Sequence, residues 1–300
     1  MGLGPQVIAL YVQLKRNGTF DNITKVMEFG SQDLVFPGEK YNSLLVDLFE
    51  TFDCDVPFEE ELKQMVKGPA KDVYEHLGLK YSCLDTDGKY NALVLDINID
   101  DVPSEHLNRY DLVTNHGTTE HLINQLNGFK MVHDFTQSGG LMLHVLPFIG
   151  YLDHGYFNYQ PNLFKNLASY NSYETLGMWI NIDTHLSSMI PWQDNLLDYI
   201  KLSPSCDSCL AVLMRKKNDS EFSIPFQGHY ENTRVDQVRS YYLGTTDGEF
   251  QNDPSNTWKL VDINRMQEVL KLTSGKLLLK ELINRFKLRI KRLITKTIDT

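Results

Sequence analysis

The stretch Val26-Met27-Glu28-Phe29-Gly30-Ser31-Gln32-Asp33 constrains this chain more than any other. A short apolar run leads to an acid, then to a glycine, then to small and polar residues. That pattern reads as a buried strand ending in a tight turn at Gly30. Glycine can take positive φ there, and without a Cβ it lets a ligand approach the backbone. In open α/β sheets, ligands sit outside the carboxyl ends of the strands. As the first strand of such a sheet, this segment would place Glu28 to Asp33 on the floor of a ligand site. An ordinary strand-to-helix turn fits the same residues, because a single glycine is weak evidence.

The rest of the chain supplies the alternation that such a sheet needs. Residues 4–16 have helical spacing, with Val7, Leu10, Tyr11 and Leu14 on one side, and Asn17-Gly18 stops the helix. Residues 38–78 read as irregular helix, interrupted near Cys54–Pro57 and at Gly68-Pro69. Further strands are expected at 79–84, 92–95, 110–114, 141–146, 173–180 and 209–214. Between the fourth and fifth strands, Thr118 or Thr119 is the expected cap of a helix that buries Ile123, Leu126, Phe129 and Val132, with Ser138-Gly139-Gly140 at its end. Asn162–Tyr170 and 192–201 read as further helices. The alternation predicts an α/β fold: a doubly wound, seven-stranded, mostly parallel sheet with helices on both faces, over residues 1–217. Residues 218–300 form a C-terminal extension ending in a helix.

Composition excludes several classes. The chain has 300 residues, 42% hydrophobic and 23% charged, as a soluble globular protein does. No apolar run reaches the roughly 18 residues of a membrane span, and the N-terminus does not read as a signal peptide. Four cysteines make no disulfide framework in a chain of this length and suit a reducing cytosol, so a cytoplasmic location is expected. The net charge of −10 argues against a nucleic-acid partner. Residues 276–300 run the other way, with eight Lys/Arg against two Asp/Glu. There Leu279, Leu282, Ile283, Phe286, Ile290 and Leu293 make an apolar stripe ringed by lysine and arginine. A basic amphipathic helix of this kind can touch an anionic membrane surface or a protein partner, or pack on its own domain.

The order of these pieces resembles a class I S-adenosylmethionine (SAM)-dependent methyltransferase, over roughly residues 20–217. Val26-Met27-Glu28-Phe29-Gly30-Ser31 resembles the family's first motif, an acid-x-Gly ending strand one. Cys83-Leu84-Asp85 resembles the acid ending strand two, and Val94-Leu95-Asp96-Ile97-Asn98 the acid ending strand three. Tyr110 to Asn115, continuing to Thr119-Glu120-His121, resembles strand four and the helix after it. Ser138-Gly139-Gly140-Leu141-Met142 resembles the Gly-Gly that leads into strand five. The family's first motif runs acid-x-Gly-x-Gly-x-Gly, whereas here Gln32 and Leu34 replace the later glycines. The resemblance implies a Rossmann-like fold with SAM as cofactor. It implies Asp85 on the ribose hydroxyls, with Asp87 as competitor, Asp96 and the Ile97 amide at the adenine, and Glu28 at the amino end. Gly30, Ser31, Gln32, Asp33 and Asn115 complete the cofactor site it implies. A nicotinamide dehydrogenase would carry similar acids, but its Gly-x-Gly-x-x-Gly is absent.

Methyl transfer is an in-line displacement, and a hydroxyl acceptor also needs a base. Three histidines stand where a base could act: His121 after the fourth strand, His144 inside the fifth, and His154 in the loop beyond it. His154 is favoured, with Asp153 as an orienting partner and Tyr151, Tyr156, Phe157 and Tyr159 to wall in a flat or sugar-like acceptor. His144 also reads as a core histidine and His121 as a helix-face residue. The acceptor expected is a hydroxyl or amine of a small molecule or glycan, and the rival is a non-catalytic binding protein on the same fold. A metal reading would gather two or more of these histidines with Asp153 or Glu120. Glu120-His121 and His116 match no standard zinc spacing, so no metal is expected. Cys206-Asp207-Ser208-Cys209 lacks the second pair that a zinc site needs and reads as incidental.

Overall fold

The structure is a computed structural model that describes residues 2–36, 38, 42–181, 189–194, 196 and 207–226. Seven strands form one sheet: β1 (Lys25–Phe29), β2 (Lys80–Leu84), β3 (Tyr110–His116), β4 (Thr136–Ile149), β5 (Glu174–Asn181), β6 (Ile190–Pro191) and β7 (Ser208–Arg215), in the order β2-β1-β3-β4-β7-β5-β6. The pairings from β2 through β4 are parallel, and β7 runs antiparallel to both β4 and β5. The expected fold class is borne out: a doubly wound α/β sheet, mostly parallel.

Strand alternation assigns the two faces. Val26 points to a layer made by α1 (Pro5–Arg16), α2 (Asn42–Thr51), α3 (Glu59–Met65) and α4 (Ala70–His76), where Val7, Tyr11, Leu48, Phe49 and Tyr74 are buried with it. Phe29 points to the other layer, where its ring meets Phe135 of α5 (Gln125–Phe135) edge-on at 5.9 Å. Phe164 of α6 (Pro161–Tyr170) packs there against Phe129 at 6.0 Å. Both faces of β1 are therefore covered, which is why Val26 to Phe29 are all buried, without alternation.

Three local expectations are corrected. Residues 92–95 do not form a strand; only a bridge joins Leu93 to Leu84. Tyr90 and Asn91 take positive φ just before it, at 55° and 62°. Just after it, the Asp96 carboxylate accepts from the Asn98 amide at 2.9 Å, so side chains close a turn where the ladder would continue. The helix after β3 begins later than expected. Thr119–His121 makes one 3-10 turn, and the cap of α5 is Asn124, whose Oδ1 accepts from the Asn127 amide at 3.1 Å. Ile123 and Leu126 are consequently exposed, while Phe129 and Val132 are buried. Finally, α5 ends at Phe135, and Ser138-Gly139-Gly140 lies inside β4.

The junction of α5 and β4 is held by a buried lysine. Lys216 Nζ donates to the carbonyls of His133 and Thr136, each at 2.9 Å, and to Asn108 Oδ1 at 2.6 Å. An ammonium here answers the negative end of the helix dipole. Gly140 is required at the same place, because a Cβ would lie 2.9 Å from both the Gln137 and Tyr110 carbonyl oxygens.

Among the described residues, no helix is long and apolar enough to cross a membrane. Most of the helix expected at 192–201, Cys206 of the Cys-x-x-Cys pair and the basic helix of the C-terminal extension lie outside the described residues. A Gly140→Ala variant should lose about 1–3 kcal/mol, the cost of forcing a methyl group against fixed atoms. Urea unfolding measures it, and an unchanged midpoint would mean that β4 shifts freely at this point.

Candidate functional site

A cleft of about 430 Å³ opens at the carboxyl ends of β1 and β2. Its wall includes Gly30, Ser31, Gln32, Asp85, Asp87, Asp96, Ile97, Thr118 and His121. Most of the cofactor residues implied by the sequence resemblance are thus brought together. Gly30 takes φ +84°, as the expected turn requires. Its missing Cβ makes room for protein: a Cβ there would lie 2.5 Å from Gln32 Nε2 and 2.8 Å from Thr118 Oγ1. The Gln32 side chain donates to the Phe29 carbonyl at 3.1 Å, so it closes the turn from within.

Ser31 joins the first two strand ends. Asp85 Oδ2 accepts from the Ser31 amide at 2.9 Å and from the Ser31 hydroxyl at 3.0 Å. That leaves Asp85 Oδ1 with one long contact, from the Asp87 amide at 3.3 Å. Asp87 is more fully engaged, since Oδ1 accepts from the Lys89 amide at 2.9 Å and Oδ2 pairs with Lys89 Nζ at 2.9 Å. These bonds with Lys89 hold the Asp87 carboxyl below the usual carboxylate range. Asp33 is exposed and accepts from the Tyr90 hydroxyl at 2.5 Å.

Three implied cofactor residues stand apart from the cleft lining: Asp33 and two buried side chains, Asn115 and Glu28. Asn115 is fully buried in β3, with its Nδ2 3.0 Å from Thr119 Oγ1 and 3.1 Å from His144 Nδ1. Glu28 is also fully buried, and Tyr81 donates its hydroxyl to Oε2 at 2.6 Å. Burial pushes the Glu28 carboxyl up to about 8. Alternation turns it toward the α1–α4 layer, where Tyr11 bridges the Tyr74 hydroxyl at 2.7 Å and His116 Nε2 at 2.9 Å.

The three candidate bases separate in the same way. His144 is buried between Phe129 and Phe164, and burial holds its imidazole down at about 3, a setting that fits the core histidine also considered for it. His121 and His154 converge, with ring centroids 5.0 Å apart. The carboxylate they share is Glu120, with Oε1 at 3.8 Å from His121 Nε2 and 3.7 Å from His154 Nε2. Asp153, expected to orient His154, makes no hydrogen bond or ion pair with it, and its backbone takes φ +61°. Burial pushes the Glu120 carboxyl up to about 7. The fold therefore brings two of the histidines to Glu120, one of the two acids the metal reading named, from two strand-end loops. Beyond it, Phe157 and Tyr159 line a second cavity of about 570 Å³ with Leu126, Phe129 and Ile224. Tyr151 and Tyr156 do not line it: Tyr151 packs its hydroxyl on Cys209 at 2.8 Å, and Tyr156 is exposed.

No family model matches the chain, and no curated protein matches it. Solved structures similar to it include a candidate sarcosine dimethylglycine methyltransferase from Galdieria sulphuraria, at 14% identity and TM-score 0.42, covering 70% of this chain and 85% of that one. Another is the 1,6-didemethyltoxoflavin-N1-methyltransferase of Burkholderia thailandensis, solved with S-adenosylhomocysteine, at 7% identity and TM-score 0.38 over 71% and 80% of the two chains. A SAM-dependent methyltransferase from Archaeoglobus fulgidus is similar at 13% identity and TM-score 0.37, over 69% and 93%. The strand order, with antiparallel β7 inserted between β4 and β5, is that of the Rossmann-like sheet expected from the sequence, without the strand expected at residues 92–95.

The buried Glu28 makes stability depend on pH. Its folded pKa lies above the unfolded value, so the native state holds the extra proton and stability falls as pH rises from about 4.5 to about 8. A Glu28→Gln variant keeps an acceptor for Tyr81 without the ionisation. Its stability relative to wild type, from urea unfolding at successive pH values, should grow steadily between pH 5 and pH 8. Parallel curves would show that the carboxyl is ionised without penalty.

Proposed function

We propose that this protein is a SAM-dependent methyltransferase whose acceptor is a hydroxyl or amine of a small molecule or glycan. The observation that supports this best is the cleft itself: carboxylates of Asp85, Asp87 and Asp96 line a strand-end cleft that also reaches the histidine of a Glu–His–His cluster. The residues suit the cofactor. Asp85 Oδ1 retains acceptor capacity for a ribose hydroxyl, whereas both Asp87 oxygens are engaged by Lys89. Asp96 Oδ1 is held by Asn98, which orients the carboxylate for an exocyclic amine. A cationic, donor-rich ligand matches an acidic cleft.

SAM supplies an electrophilic methyl group on a sulfonium. The chain's own part is to bind that ligand, to orient the acceptor and to deal with its proton. Positioning alone can supply much of the rate in a displacement of this kind. The proton of a hydroxyl acceptor would be handled by the cluster of Glu120, His121 and His154, with Phe157 and Tyr159 offering aromatic surface to a flat acceptor or a sugar face.

Calorimetric titration of the full-length protein with SAM tests the cofactor. Asp85→Ala should weaken binding by about 1–3 kcal/mol, the scale of hydrogen bonds to a charged group, and Asp87→Ala by less. A larger loss at Asp87 would move the ribose to that carboxylate. Absence of SAM binding would leave a binding protein on a methyltransferase fold.

For catalysis, His154→Ala should lower turnover about 10²–10⁴-fold, the range of acid–base assistance, and leave SAM affinity nearly unchanged. His154→Gln distinguishes anchoring an acceptor, which an amide can do, from handling its proton. Near-full turnover in His154→Ala would remove His154 from the chemistry and favour a neutral amine acceptor.

A further inference from the structure

Glu120 presents an unusual problem. Its carboxylate is fully buried, and neither oxygen accepts a hydrogen bond from another side chain or a neighbouring amide. A buried carboxylate left so costs several kcal/mol, and such groups are normally paired or bound to a metal. The nearest polar atoms are the Nε2 atoms of His121 and His154, at 3.8 and 3.7 Å from Oε1, too far for hydrogen bonds. Three strong donors thus converge without touching, all their ligand atoms lying within 4.8 Å of one another.

That spacing suits an ion between them. Bonds of about 2.0–2.2 Å to nitrogen and carboxylate oxygen in tetrahedral array put ligand atoms about 3.4 Å apart. Glu120 Oε1 stands within a few tenths of an ångström of that spacing from each imidazole, and no pair in the set lies more than 4.8 Å apart, so closing on an ion takes side-chain shifts of about 1 Å or less. We propose that Glu120, His121 and His154 form a site for a divalent transition-metal ion of the zinc type. Two imidazoles and one carboxylate favour such an ion over Mg²⁺ or Ca²⁺, which take oxygen ligands.

The backbone is arranged to hold this set. Glu120 and His121 come from the 3-10 turn after β3, and His154 comes from the loop after β4. That loop lies directly on Glu120: the Tyr156 amide donates to the Glu120 carbonyl at 2.8 Å. Gly155 permits the approach, since a Cβ there would meet Glu120 Cγ at 2.8 Å. The loop is anchored again at Tyr159, whose hydroxyl donates to Gln125 Oε1 at 2.7 Å. Three protein ligands leave coordination positions open, the pattern of a working rather than a structural zinc site. His121 also lines the acidic cleft, so an oxygen of a molecule at the cleft could take an open position and be polarised there. With the ion bound, His121 and His154 act as ligands, and lowering the acceptor's pKa passes to the metal. The site stands whether or not the cleft takes SAM.

The test is direct metal binding by the full-length protein, freed of metal with a chelator and titrated with Co²⁺. The expected result is one equivalent of Co²⁺ with strong visible d–d absorption, displaced by Zn²⁺. His121→Ala and His154→Ala, both at exposed positions, should each weaken binding by more than the 10–100-fold typical of losing an outer partner, with far-UV circular dichroism unchanged. Glu120→Gln should do the same, and the two histidine variants carry the test if it fails to fold. No saturable Co²⁺ binding by the wild-type chain would overturn the site, as would binding unaffected by both histidine variants. Either result leaves methyl transfer standing, with His154 as the base. SAM binding that fails while the Co²⁺ site is intact would instead remove the methyl-transfer reading alone.

Discussion

The last carbonyl of β1 is the joint on which the site depends. Phe29 O accepts from Thr118 Oγ1 at 2.6 Å and from Gln32 Nε2 at 3.1 Å. The Gly30 amide, one residue on, donates sideways to the Leu84 carbonyl of β2 at 2.9 Å. These few bonds tie the ends of β1, β2 and β3 together and hold Gly30 at positive φ. The cleft lies over that joint, and the turn bearing Glu120 and His121 comes directly after Thr118. A strand-end carbonyl usually looks to solvent or a ligand, but here the protein's own side chains occupy it, so the loop's shape does not depend on what binds.

Two buried carboxyls show how environment divides like residues. Glu28 and Glu120 are both fully buried acids placed at or after a strand end. Glu28 receives the Tyr81 hydroxyl at Oε2 and sits within a layer of tyrosines, with only Oε1 left without a partner. Glu120 has imidazoles just out of hydrogen-bonding reach, one of which, His121, lines the open cleft. The first is a structural group whose ionisation costs stability. The second is an unsatisfied group whose need is met only by something that enters.

Much of the fold was legible because it rests on local signals. The apolar run before Gly30, the Asn17-Gly18 stop and the breaks near Pro57 and Pro69 each appear where the residues put them. What was not legible depended on competition between local and distant bonds. Residues 92–95 have strand composition, yet the turn closed by Asp96 and Asn98 takes their place at the edge. Asn124 outcompetes Thr118 and Thr119 as a cap, and Asn98 Oδ1 accepts the Asn124 amide at 3.1 Å, a contact across 26 positions. In the site, the strand-end acids were readable as acids at turns. The pairing of Glu120 with His154 was not, because adjacency in sequence favoured Asp153, whereas the path of the loop decides which carboxylate the imidazole meets.

The replaced glycines of the first motif acquire a physical meaning from these contacts. Gln32 stands where the family has its second glycine, and its side chain braces the turn by reaching both the Phe29 carbonyl and Thr118 Oγ1. Leu34, at the place of the third, is buried, bridges to Leu3 before α1, and donates its amide to the Gly68 carbonyl at 2.9 Å. Both side chains thus do by packing and hydrogen bonding what bare backbone would leave to a bound ligand. A loop of three glycines is loose until something orders it, and that ordering costs entropy on binding. Here the cost is met during folding. The departure from the motif exchanges close backbone approach for a loop already set, beneath a cleft wall that carries the carboxylates of Asp85 and Asp96.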